Sequence, residues 1–190
     1  MNTKRIALTL ALAVSVLLVV GSISAKGGGT YYWYDGNIKR TVYLKGDYVA
    51  EIVPSGTNSR MRAADPAARN AGPASGSVRI WKVAAGSKAR SAKSGLKTSP
   101  VFSDRAGGSR LRALPGNVIV RLGDSLSVDQ IEAWVKARGL KLVQHLPLKG
   151  NWIVVESAPG LAGLTLANQL HARSDVINAQ PNWWTQVGTR

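Results

Sequence analysis

The sequence predicts an α+β fold, and three observations carry that prediction. Between Pro115 and Trp184, strand-like and helix-like runs follow one another in the order β-α-β-β-α-β. Near the N-terminus, two β-prone runs flank Asp35-Gly36. The chain has no cysteine, so a hydrophobic core or a partner must hold it together without disulfides.

The first 25 residues stand apart from the fold. Lys4 and Arg5 precede an uncharged apolar run of 15 residues, Ile6 to Val20, and small residues follow at Ser22, Ser24 and Ala25. That order reads as a secretory signal cleaved near Ser24 or Ala25. As a helix the run would rise only ~22 Å, short of a ~30 Å hydrocarbon core, so no stable membrane span is expected after cleavage. An uncleaved N-terminal anchor is the alternative. The expected location is secreted or periplasmic.

Residues 26–53 form the next segment. Tyr31-Tyr32-Trp33-Tyr34 and Ile38 to Leu44 lie on either side of Asp35-Gly36, the signature of a hairpin. A lone hairpin is marginal in water, so the four aromatics need a surface to pack on.

Residues 54–114 read as a basic flexible linker. The chain holds 25 Lys+Arg against 10 Asp+Glu, a net charge of +15. Between Arg60 and Arg112 there are 12 basic and 2 acidic residues, scattered among Gly, Ser, Ala and Pro. Without apolar periodicity such a stretch is not expected to offset its chain entropy. One short strand at Val78 to Val83 interrupts it and is expected to add to a sheet edge. A nucleic-acid reader would display its charge on a folded face, so no specific nucleic acid is expected as partner. General attraction to anionic surfaces is expected.

Residues 115–184 are the most legible. Val118-Ile119-Val120-Arg121-Leu122 is a short apolar strand. Ser127 stands three residues before Gln130, a capping box that opens a helix carrying Ile131, Trp134 and Val135 on one side. Gly139 closes that helix. Leu140 to Leu148 and Asn151 to Glu156 are strands about a turn at Pro147 to Gly150. Leu161, Leu164, Ala167 and Leu170 repeat at helical spacing, and Val176 to Ala179 is the last strand. This is the split βαβ, or ferredoxin-like, order: a four-stranded antiparallel sheet with two helices on one face. Trp152-Ile153-Val154-Val155 is apolar on both sides, so the helix-free face is expected either to be covered or to be an exposed apolar patch of the kind that marks an interface. Residues 185–190 are a C-terminal tail.

Val118 to Leu122, Leu146 to Glu156 and the closing Ser174 to Trp183, with its Ala179-Gln180-Pro181-Asn182-Trp183, resemble the propeptides of subtilisin-like serine proteases, of the inhibitor I9-like and fervidolysin type. The aromatic run and Val49-Ala50-Glu51-Ile52 also look like the start of some bacterial pro-subtilases. The resemblance implies a non-enzymatic inhibitor and folding chaperone. With no protease domain after Arg190, it is expected to act in trans, similar to the external chaperone of a kexin-like secreted protease. The helix-free face would pack on two surface helices of the protease. The tail would enter the active-site cleft with Arg190 nearest the catalytic serine and Thr189, Gly188 and Val187 in successive subsites. Trp152, Val154, Trp183 and Trp184 complete the implied contact set.

Catalytic chemistry finds no support in the residues. His145 and His171 are the only histidines, so neither a metal site nor a cofactor is expected. Ser94-Gly95-Leu96-Lys97 fits S-x-x-K but lacks its companion motifs. The carboxylates form no acid–base pair. Two rival readings stand beside the propeptide one. The first is an exported basic protein that binds anionic polymer or nucleic acid through residues 60–112. The second is a truncated remnant of a protease gene.

Overall fold

The computed structural model describes residues 29–54, 56–72, 76–84 and 95–186. The expected signal segment 1–25 lies outside these residues, as do Val187, Gly188, Thr189 and Arg190. The fold is α+β, with two antiparallel sheets and three helices among the described residues.

The expected hairpin is present. Strand β1 (Thr30–Asp35) pairs with β2 (Ile38–Ile52), with Asp35 opposite Ile38. The two-residue turn is therefore Gly36-Asn37, and Gly36 takes φ 57°, the glycine-first geometry that suits strand twist.

The described parts of the segment expected to be a linker carry secondary structure. After a one-turn helix α1 (Met61–Ala64) come β3 (Arg69–Asn70), β4 (Val78–Lys82), β5 (Thr98–Ser103) and β6 (Leu111–Ala113). With β11 (Trp184–Thr185) they form one sheet in the order β11-β6-β5-β2-β4-β3, with β1 on β2. The strand expected at Val78 to Val83 is β4, set between β2 and β3 rather than at an edge. The reason is alternation. Val78 and Ile80 join a core with Ala50, Val101, Leu111 and Ala113. Trp81 and Val83 join another on the opposite face with Val49, Met61 and Ala68. The cations sit between these apolar positions, so the strands bury two faces despite their charge.

Among the described residues no helix contributes to the first core, and the sheet curls around it. Ala71, after β3, and Trp184, in β11, both pack on it although they lie at opposite edges of the sheet. The β11 end thus meets the β3 end, making a nearly closed barrel.

The second sheet comprises β7 (Val118–Leu122), β8 (Leu142–His145), β9 (Asn151–Val155) and β10 (Asn178–Pro181), in the order β10-β7-β9-β8 with every neighbour antiparallel. Helix α2 (Val128–Ala137) follows β7 and α3 (Leu161–His171) follows β9. The Ser127–Gln130 capping box forms in both directions. Ile131 and Val135 of α2 and Ala167 and Leu170 of α3 share one core with Val118, Val120 and Leu122, so both helices cover the same face. Strand β8 is shorter than the run Leu140 to Leu148, because its register slips between Leu142 and Gln144 and leaves Val143 exposed. The last strand starts at Asn178 rather than Val176, which turns into the core instead.

Helix α3 joins the two sheets. Its Leu164 enters a third core with Trp33, Val42, Phe102 and Leu114. Asn168 donates from Nδ2 to the Tyr32 carbonyl at 3.0 Å. This surface receives Tyr31 and Trp33, while Tyr34 stacks on His171 and Tyr32 stays exposed.

Candidate functional site: the open sheet face and the C-terminal strand

Strand register lays out the face opposite the helices. Gln180, Ile119, Val154 and Gln144 lie in one row across β10, β7, β9 and β8. Asn178, Arg121 and Trp152 lie in the next. Neither α2 nor α3 reaches this side, since their buried residues belong to the opposite core or to the α3–barrel contact. The Arg121 guanidinium sits 5.7 Å from the Trp152 ring centre and pairs with Asp124 at 3.3 Å. Asn151 fixes the neighbouring β7–α2 turn by donating to the Gly123 and Leu126 carbonyls at 2.7 and 2.9 Å.

The face is mixed rather than apolar. Val154 is 4% exposed and offers almost no surface. Ile119 and Trp152 are half-buried, flanked by Gln144, Gln180 and Arg121.

The two C-terminal tryptophans pack on their own fold. The Trp183 ring packs edge-on against Trp33 at 5.8 Å and Phe102 at 5.7 Å. Arg112, paired with Asp104, sits near both the Trp33 and Trp183 rings. Trp184 stands opposite Ala113 in the sheet, and its side chain joins the barrel core. Both are half-buried within their own fold. Adjacent residues of an extended chain face opposite sides, and here both sides have a surface waiting. Gln186 continues the ladder by donating its N–H to the Leu111 carbonyl at 2.9 Å. Of the expected contact set, the face gathers Trp152 and Val154, while Trp183 and Trp184 lie on the barrel.

Two carboxyl groups organise the fold, and neither carried a sequence signal. Buried Glu51 accepts from Ser59 Oγ, from the Arg60 N–H at 2.9 Å and from Trp81 Nε1 at 3.1 Å, which fastens the 56–60 loop to the barrel. Asp175 accepts from Arg173 Nε at 2.9 Å, from Trp134 Nε1 at 2.9 Å and from Arg138. The Arg173 hydrogen bond foremost lowers its pKa from 3.8 to about 2; burial, the next largest influence, opposes it, and the Trp134 bond and the charges of Arg138 and Arg173 add to the lowering. Trp134, expected in the core, lies at its margin, with Arg138 4.2 Å from its ring centre.

Among the described residues no group of three or more His, Cys, Asp or Glu side chains is placed to hold a metal ion. His171 stacks on Tyr34 at 3.9 Å, and His145 is exposed on β8. A cleft of about 630 Å³ between β1 and α3 is lined by Tyr31, Tyr32, Leu161, Leu164 and Asn168. No nucleophile–base pair lines it. Among the described residues no helix is long and apolar enough to cross a membrane. Comparison with family models, with curated proteins and with solved structures returns no match.

Proposed function

We propose that this chain is a secreted, non-enzymatic protein that inhibits a subtilisin-like serine protease and assists its folding, working by binding alone. The observation that carries the reading is the helix-free sheet face with its Ile119–Trp152 ridge. The β-α-β-β-α-β order and the strand order β10-β7-β9-β8 support reading residues 118–181 as the ferredoxin-like unit that the propeptide resemblance implies. A pre-formed sheet face is a rigid template, and two protease helices docked on it lose less freedom than two helices searching alone.

The pairing of Trp184 to Gln186 with β6 narrows the inhibitory tail. In this reading Trp184 to Gln186 stay in the barrel, and Val187, Gly188, Thr189 and Arg190 supply the extended segment for the cleft by strand addition.

The test is to titrate the purified chain into a bacterial subtilisin-type protease and follow peptide hydrolysis, and to measure recovered activity when that protease refolds beside it. Expected outcomes are dose-dependent inhibition, faster recovery on refolding, and about tenfold weaker inhibition for Trp152→Ala with its melting temperature unchanged. Absence of both inhibition and refolding assistance against a panel of such proteases would sink the reading.

A further inference from the structure

The barrel displays a row of cations that the fold itself does not neutralise. Register puts Arg69 of β3 directly opposite Lys82 of β4, and Lys82 opposite Tyr48 of β2. Lys45 Nζ lies 5.6 Å from the Tyr48 ring centre, which adds a third cation to the row. Arg69 and Lys82 are exposed. Among the described residues none of Arg69, Lys82 and Lys45 has an ion-pair partner, and Asp47, beside Tyr48 in sequence, makes no ion pair with them. The Arg69 guanidinium donates to the carbonyls of Pro66 and Ala68 at 3.1 and 3.3 Å, which fixes its position without cancelling its charge.

Like charges directly opposite on neighbouring strands destabilise a sheet. Here they stand on strand β3, at the end of the sheet order, where no ion pair among the described residues offsets the repulsion. We propose that the row Arg69–Lys82–Tyr48, with Lys45, is a binding site for a phosphate-backboned polyanion. Neighbouring strands are ~4.8 Å apart, so the cations reach successive phosphates of one extended chain while Tyr48 offers an apolar flank. The site lies on the barrel, separate from the helix-free face of the second sheet, so it does not depend on the protease-binding reading. It would hold the protein on a phosphate-bearing surface or polymer.

The test uses the purified chain and two probes of matched charge, labelled inorganic polyphosphate and labelled single-stranded DNA, followed by anisotropy between about 50 and 200 mM salt. Both probes are expected to bind, with affinities within about threefold of each other because the phosphates are what is read. The double variant R69Q/K82Q is expected to lose at least about tenfold in affinity, with its log K against log salt slope shallower by about 0.7 for each phosphate contact removed. Relief of the like-charge pair is expected to leave its melting temperature equal or slightly raised. K39Q/R40Q removes the same charge from the hairpin and is expected to stay within twofold of the parent protein. Equal loss in the two double variants, an unchanged salt slope in R69Q/K82Q, or binding of DNA without polyphosphate would each overturn the proposal.

Discussion

Gly72 and Gln186 meet where the barrel closes: a Cβ on Gly72 would stand 3.3 Å from Gln186 Nε2. One residue follows β3 and the other follows β11, so they mark the two edges of a single sheet. Ending the chain after Trp183 would strip the Trp184 ring from the core that holds Ala50, Val78 and Ile80. Urea titration is expected to show a loss of about 2 kcal/mol or more, since a large side chain and a strand leave together. Ending it after Gln186 is expected to change stability by less than about 0.5 kcal/mol. Equal losses in the two truncations would mean that the closing strand is not Trp184 to Gln186.

The second unit was legible in the sequence because its signals are local. Ser127 with Gln130 opens α2, Gly139 with φ 62° ends it, and the spacing of Leu164, Ala167 and Leu170 marks α3. Of the barrel, only the β1–β2 hairpin and β4 were legible; the rest was not, because β5 pairs with β2 and β11 with β6 across long stretches of chain. In β5, Pro100 breaks the appearance of a strand, yet it stands opposite Val49 next to the bulge in β2, where an absent N–H is tolerated. Val101 and Phe102, flanked by Pro100 and Ser103, carry no periodicity that marks a strand, although both are fully buried. The placement of Trp183 and Trp184 was not legible either, because it depends on Trp33 and Ala113 from the barrel.

Phe102 holds the junction of barrel and α3, fully buried and edge-on to Tyr31 and Trp183. Phe102→Ala is expected to cost about 3–5 kcal/mol, through lost burial and a cavity that the rigid aromatic neighbours cannot fill. Thermal unfolding followed by tryptophan fluorescence measures it, and a loss under about 1 kcal/mol would mean that the junction is not a packed core.

Glu51 is 3% exposed, and its carboxyl oxygens gather three donors. Glu51→Leu keeps the bulk but strands the Trp81 and Arg60 N–H groups, a cost of about 1–3 kcal/mol for each group left unsatisfied. The 56–60 loop is then expected to loosen first. Trypsin should cut the variant at Arg60 or Arg62 faster than the parent protein while the α2–α3 unit resists. Equal digestion of the two proteins would show that the loop does not depend on Glu51.

Asp175 gives stability a pH dependence of known sign. Its pKa in the folded protein lies below its ordinary value, so its contribution is fully present above about pH 4 and fades as pH falls toward 2. The side chain is 37% exposed, so screening keeps the contribution under about 1 kcal/mol. Asp175→Asn is expected to be less stable at pH 7, and its deficit should shrink between pH 4 and pH 2 as the parent protein loses the charge. Urea midpoints across that range measure the convergence. A deficit that stays constant would assign the role of Asp175 to shape rather than charge.

Gly116 is the position at which the crossing from barrel to second sheet tolerates least change. It adopts φ 116°, and the next residue, Asn117, adopts φ 68°. A Cβ on Gly116 would come within 2.7 Å of the Ser157 carbonyl oxygen, a backbone atom that cannot swing aside. That carbonyl already accepts the Asn117 N–H at 3.2 Å, and the Asn117 carbonyl accepts the Asn182 N–H at 3.3 Å. A side chain on Gly116 therefore pushes apart β7, the segment after β9 and the segment after β10 together. Gly116→Ala combines backbone strain of about 1–3 kcal/mol with this displacement and is expected to lower the melting temperature by several degrees. Asn117→Gly, which relaxes the neighbouring positive φ without adding atoms, is expected to be neutral or mildly stabilising. A neutral Gly116→Ala would require the crossing to reach the second sheet by a different backbone path.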